Sequence, residues 1–452
     1  MLTRIREVID REFDRYIEIL QNWVRQPSMS YDGEGIGDMV NLVSAEIQNT
    51  GGETTVFDID DGYPIIIGEY SADSDYTLLF YNHYDVQTVD PVDEWRSPPF
   101  SASITDGTVF GRGVADDKGC LLSRILAVGA VQKAMGGLPI NVKFLVEGEE
   151  EIGSPHLEHF ILSHKEALKA DACIWEYAAK DRKGHPTATL GNKGMCYVEL
   201  HCRGAGHDFH SMYAPLVPNA AWRLVWALST LKDTQDKVLI EGFYDGIKSI
   251  EKEERDLLEK IPFDEYGFKQ SASIPVLLGE VDGREAKLRL YSEPTCTICC
   301  LNAGYAGSGA QTTLPSEAMA KVDFRLVPDQ KPDDIIQKLC THLEKHGFDD
   351  LHAKVLASAT PSKTSSRHPF VSTVATAALD AYDEEIILLP TSPGTGPRWM
   401  FSSWTEMPIV GLGVGNADSN IHAPNENITL NDFRQGITHI AAILKQFEHR
   451  ER

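Results

Sequence analysis

TLLFYNHYDV, residues 77–86, is an apolar run of strand composition that ends in a histidine and an aspartate two positions apart. In a strand, residues i and i+2 leave the same face, so His83 and Asp85 project together. The carboxyl ends of such strands are where open α/β sheets place their ligands. A histidine held by a nearby carboxylate is a common metal-ligand arrangement, because the acid orients the ring. On its own the pair describes a partly exposed loop just as well. Outward from this stretch, strand-like runs alternate with helical patterns. PIIIGEY (64–70) precedes it. A helix is predicted over Cys120–Met135, a strand running into a loop over NVKFLVEGEE (141–150), and another strand over ACIWEY (172–177). That alternation predicts an α/β sheet flanked by helices.

The order changes after about residue 189. MCYVELHCRG (195–204) alternates like a strand with one exposed face. Then come a helix near Asn219–Leu231, strands near Lys287–Cys300 and Ala318–Leu326, and a helix near Asp333–Lys345. The reading is a smaller α+β domain, residues 189–362, inserted into a catalytic domain made of 1–188 and 363–452. From Phe370 the first pattern returns, with VSTVATAALDAY (371–382) and MPIVGLGVG (407–415).

Composition limits the function. Of the 452 residues 42% are hydrophobic and 24% charged, ordinary for a globular protein, and the net charge is −25. That balance argues against nucleic acid and against an anionic membrane surface, both of which need a basic footprint. The opening MLTRIREVIDREFDRYIEILQNWVRQ carries charges throughout and reads as an amphipathic helix, not a signal peptide. No apolar run approaches the roughly 18 residues of a membrane span. Eight cysteines in so long a chain lack the density of a disulfide framework, so reduced thiols and a cytoplasmic location are expected.

Four further stretches carry chemistry. GRGVADDKG (111–119) sets two aspartates between glycines, costly to pack unless a cation neutralises them. EGEEEIGS (147–154) places three glutamates directly after an apolar strand, where like charges raise one another's pKa unless a metal compensates. Glu176 and His422 each follow a strand, in ACIWEY and MPIVGLGVG. Singly, each describes a solvated side chain. Together with His83 they offer enough N/O ligands for two borderline divalent ions. Cys296, Cys299 and Cys300 lie in an alternating strand without a second ligand cluster and read as small buried hydrophobes.

In order and spacing, HYDV, GRGVADDKG, EEEIGS, the strand-end Glu176 and HAPNEN resemble the carnosinase, succinyl-diaminopimelate desuccinylase and acetylornithine-deacetylase family of metallopeptidases. The likeness covers nearly the whole chain and leans to the carnosinase-like dipeptidases. It implies two Zn2+ per subunit, with Mn2+ or Co2+ as alternatives. His83 and Glu176 would bind one ion, Glu151 and His422 the other, and Asp116 both, through a cis Asp116–Asp117 bond. Asp85 would orient His83. Aligning on the trailing Gly-Ser makes Glu150 the general base; a register one earlier would give that role to Glu149. HDFHSM (207–212) resembles a motif whose histidine serves the neighbouring subunit's site, which implies a homodimer and a catalytic part for His210, with Met212 where the family has glycine. Arg325, in FRLVPDQ, would clamp a substrate carboxylate. Thr312, in GSGAQTTLP, and Thr395 and Gly396, in PTSPGTGPRW, fall at substrate-contacting positions. Cys299 stands where family members often carry His or Asn.

The implied activity is hydrolysis of the amide bond of small dipeptides with a free carboxylate. The alternatives are an N-acyl amino-acid deacylase and a non-catalytic relative acting as a binding module. Glu176 pulls toward the deacylases and carboxypeptidases, because carnosinase-like dipeptidases carry Asp there. A metal-dependent phosphoesterase would need basic phosphate contacts, which a net charge of −25 disfavours.

Overall fold

The computed structural model describes residues 1–402 and 404–449. The chain forms two compact units. The larger comprises Met1–Gly191, Thr364–Pro390 and the chain from Met400; the smaller comprises Asn192–Lys363 and Thr391–Trp399. The loop Thr391–Trp399 thus groups with the smaller unit, a grouping that no local sequence pattern announces.

The larger unit is built on an eight-stranded sheet. Its order is 53–57, 65–70, 141–147, 77–83, 172–175, 409–411, 187–189, 387–389. The four neighbours from 141–147 to 409–411 are parallel to one another. Strand Thr77–His83 is buried on both faces almost throughout, as a parallel strand covered by helices must be. Its register sets His83 opposite Glu147, so two of the chemistry-bearing stretches leave the sheet level with each other.

Helix Lys118–Met135 is the centre of this unit and is buried nearly all round. Helices Leu2–Arg25 and Leu430–Lys445 pack against it. Two residues of GRGVADDKG fasten its start. Lys118 Nζ donates to the carbonyls of Trp23 (3.2 Å) and Gln26 (2.6 Å) at the C-terminal end of the first helix, where the helix dipole favours a cation. Burial pulls this ammonium's pKa down to about 7. At Gly119 a Cβ would lie 2.2 Å from the carbonyl oxygen of Val114, so only glycine lets the loop turn into the helix here.

The smaller unit holds a four-stranded antiparallel sheet, ordered 295–303, 317–326, 194–203, 352–359. Alternate residues of Gly194–Arg203 and Glu317–Leu326 are buried, against helices Ala220–Leu231 and Pro332–Lys345. The strand expected from Lys287 begins later. Gly283–Ser292 is a helix, started by the Asp282 carboxylate accepting from Glu285 N–H, and the strand is Thr295–Ala303. Two polar helices, Lys252–Lys260 and Glu265–Ala272, were not legible as such. Of the three cysteines expected to be buried, Cys296 is, Cys300 is half-buried and Cys299 is exposed. Three residues from Cys296, Cys299 falls on the other face of an alternating strand, and the pairing of this edge strand skips it between Ile298 and Cys300. Among the described residues no helix is long and apolar enough to cross a membrane.

Candidate metal centre

The expected ligands come together at the carboxyl edge of the larger unit's parallel strands. Asp116 lies between two imidazoles. Its Oδ1 is 3.1 Å from His83 Nε2 and its Oδ2 is 3.2 Å from His422 Nε2. The same His422 nitrogen is 3.0 Å from Glu151 Oε2. Asp116, Glu151 and His422 offer ligand atoms close enough together to hold a metal ion. The Asp116–Asp117 peptide bond is cis, as the resemblance implies.

Asp85 is fully buried and has two tasks. Its carboxylate stands 3.3 Å from His83 Nδ1, and it accepts the backbone N–H groups of Glu150 (3.2 Å) and Glu151 (3.0 Å). One acid therefore aims the histidine and fastens the glutamate loop. Within that loop the three glutamates diverge. Glu149 is held by His156 Nδ1 at 2.8 Å. Glu151 faces His422 and also accepts from Gln87 Nε2 at 3.1 Å. Glu150 sits between them. Burial pushes its carboxyl up to about 8, with the charges of Asp116, Glu151 and Asp85 adding to the rise and His83 opposing it.

The electrostatics ask for cations. Hydrogen bonds to the carboxylates of Asp116 and Glu151 push the His422 imidazole up to about 10. Burial favours neutral His83, yet Asp116 and Asp85 outweigh it and raise its pKa well above the ordinary range. Burial raises the Asp116 carboxyl, and the two imidazoles more than reverse this, leaving it well below the carboxylate range. Burial, reinforced by Glu150, raises Glu176 far above. Glu151 Oε1 and Glu176 Oε2 are buried oxygens without a hydrogen-bond partner. An orphaned buried carboxylate oxygen is costly, and a divalent cation beside each would satisfy it. The donor set, imidazole nitrogen and carboxylate oxygen, suits zinc.

Several residues that hold this arrangement carried no assigned role in the sequence reading. Glu426 is buried and accepts four hydrogen bonds, from Arg112 Nη1 (2.8 Å) and from the backbone N–H groups of Gly113 (2.9 Å), Ala115 (2.9 Å) and Asp116 (3.0 Å). It thereby shapes the loop that presents Asp116. The sign was an acid four residues after His422, inside HAPNEN. Asn82 donates to Asp117 Oδ2, which also accepts His83 N–H. His422 itself adopts φ 59°, a left-handed conformation uncommon outside glycine.

The remaining expected residues lie in the smaller unit, in two groups. Arg325 donates through Nε to Asp323 (2.8 Å) and through Nη1 to Thr395 Oγ1 (3.0 Å), and Thr395 donates in turn to the Lys193 carbonyl. Gly396 follows in the same loop. His210 Nε2 is 3.5 Å from Thr312 Oγ1, and its Nδ1 accepts Met212 N–H at 3.1 Å. Met212 does not adopt a positive φ, so this turn does not need the family's glycine.

A model of peptidase family M20/M25/M40 matches residues 79–446. An M20 family metallo-carboxypeptidase from Sulfolobus solfataricus is 37% identical, with a TM-score of 0.89 over 96% of this chain and 99% of that one. The Cys-Gly metallodipeptidase of Schizosaccharomyces pombe is 28% identical, covering 96% of each chain. The human Beta-Ala-His dipeptidase is 27% identical over 98% of this chain and 92% of its own.

Proposed function

The chain belongs to peptidase family M20/M25/M40, and from that premise we propose that it is a binuclear zinc hydrolase cutting the amide bond of small dipeptides that carry a free carboxylate. The observation that carries this reading is Asp116, one oxygen toward His83 and the other toward His422. When bound, two ions would polarise the amide carbonyl and lower the pKa of water at the site. The protein's own residues would do the rest. His83, Glu176 and Asp116 would hold one ion, and Glu151, His422 and Asp116 the other. Glu150 is the proton carrier. It would take a proton from water on its carboxylate and return it to the leaving nitrogen. Its backbone is pinned by Asp85, while Glu149 is engaged elsewhere. Eight free thiols fit a reducing, cytoplasmic setting.

Arg325 is the proposed carboxylate clamp. Asp323 and Thr395 hold its guanidinium in place, which preserves the planar fork for a bidentate partner. The test compares a dipeptide with its C-terminal amide, in wild type and in Arg325→Ala. Loss of the clamp should cost the acid about 2–5 kcal/mol in kcat/KM, and the amide far less. Equal cleavage of acid and amide by the wild type would remove the clamp. Glu176 and the likeness to a metallo-carboxypeptidase favour a second reading, release of a C-terminal residue from an N-acylated or longer chain. Faster turnover of N-acyl amino acids than of free dipeptides would select it.

The active unit proposed is a homodimer joined through the smaller unit. Trp222 and Trp226 of helix Ala220–Leu231 are 58% and 54% exposed and stack on each other. Met212 and Leu216, close to His210 in sequence, are exposed as well. Exposed large apolar side chains, two of them stacked, are what such an interaction surface would need. If His210 serves the partner's site, inactive His210→Ala and Glu150→Gln chains should regain activity when mixed. One of the two sites in the heterodimer would be intact. No rescue despite proven subunit exchange would contradict the shared site.

A further inference from the structure

Arg124 lies within helix Lys118–Met135, 1% exposed, and its side-chain hydrogen bonds all go to neutral oxygens. Nη1 donates to the Tyr81 carbonyl (2.9 Å) and to Asn82 Oδ1 (2.6 Å). Nη2 donates to the carbonyls of Trp175 (2.7 Å), Glu176 (3.1 Å) and Leu412 (2.9 Å). One planar group thus ties together the ends of three adjacent parallel strands. Burying a guanidinium without a directly bonded carboxylate is expensive, and a helix that only needed packing would carry an apolar side chain here.

The attachment points are selective. They adjoin His83 and include the main chain of Glu176, the two residues assigned above to one ion. Asn82 extends the link, donating its amide N–H to Asp117, the same carboxylate that receives His83 N–H. The other half of the centre shares Asp85 with His83 but has supports of its own that Arg124 does not touch. Glu151 is held by Asp85 and Gln87, and His422 sits on the loop that carries Glu426. Arg124 bonds to neither Glu151 nor His422.

We propose that Arg124, together with Asn82, is a positioning residue that fixes the His83–Glu176 half of the metal centre through the geometry of its fork. The proposal rests on the binuclear reading. It separates from a role for charge by sign. Removing a positive charge beside a cation site would by itself tighten metal binding, whereas loosening the ligands weakens it. Lysine keeps the charge and loses the fork.

The experiment titrates metal-free protein with Co2+ against a competing chelator, following absorption to obtain stoichiometry and both binding constants. His83→Ala identifies which constant belongs to its ion. Arg124→Lys and Arg124→Gln should both weaken that ion about 10–100-fold, the range for groups that orient metal ligands, and leave the other ion as in wild type. Asn82→Ser should weaken the same ion toward the low end of that range, and it decides the matter if the Arg124 variants do not fold. A lysine variant that matches wild type, tighter binding, or equal weakening of both ions in folded protein would overturn the proposal. Fewer than two ions in wild type would overturn the binuclear reading itself, and the proposal with it.

Discussion

Glu150→Gln should lower kcat by about 10²–10⁴-fold, the contribution of a well-placed general acid–base, while the protein keeps its metal and its affinity for substrate. The substitution preserves shape and removes only the ability to accept and return a proton. Glu150 is singled out by what its neighbours do. Glu149 is tied to His156, and Glu151 shares His422 with Asp116. Glu149→Gln should therefore leave turnover within a few-fold of wild type, and Glu151→Gln should lose metal. If Glu149→Gln proves inactive and Glu150→Gln loses a metal instead, the register is one residue off. Metal content measured beside kcat on each variant separates the two cases.

Asp116→Ala should have the second large effect, and a different signature. It removes the one carboxylate placed between both imidazoles, so both ions should be lost or greatly weakened. With them goes their charge stabilisation of the transition state, several kcal/mol, which corresponds to a fall on the order of 10³-fold or more in kcat/KM. Thermal unfolding gives an independent readout. A ligand that binds only the native state stabilises it by about 2.7 kcal/mol at 100 times its Kd. Wild type should therefore gain Tm as Zn2+ is added, and Asp116→Ala should not. An Asp116→Ala protein that still gained Tm and bound two ions would show that another residue bridges the centre.

What could be read from the sequence, and what could not, follows from distance along the chain. His83 ends an apolar strand, Glu176 directly follows one and His422 lies in the loop after a third, and Asp116, Glu150 and Glu151 sit in short runs whose composition is odd for a surface. Each of these signs is local. The residues that hold them are not. Glu426 meets Arg112 across 314 residues of sequence, and Arg124 reaches Leu412 across 288. Nothing in GRG, SRIL or LGVG announces those partners, because hydrogen bonds between distant segments exist only once the sheet has assembled. The helices between Lys252 and Ser292 escaped for another reason. They are short and polar, with few buried residues, and a periodicity argument needs a longer apolar stripe to act on. Cys299 groups with Cys296 in sequence, yet two residues three apart in an alternating strand face opposite ways, and the pairing skips Cys299 itself.

The central claim is that hydrolysis depends on two ions held by His83, Asp116, Glu151, Glu176 and His422. The most direct measurement adds Zn2+ stepwise to chelator-stripped protein and follows dipeptide hydrolysis and bound metal together. The account predicts no turnover without metal and full turnover only as the second ion per chain is taken up. Full turnover at one ion or fewer per chain, or in the presence of excess chelator, would contradict it.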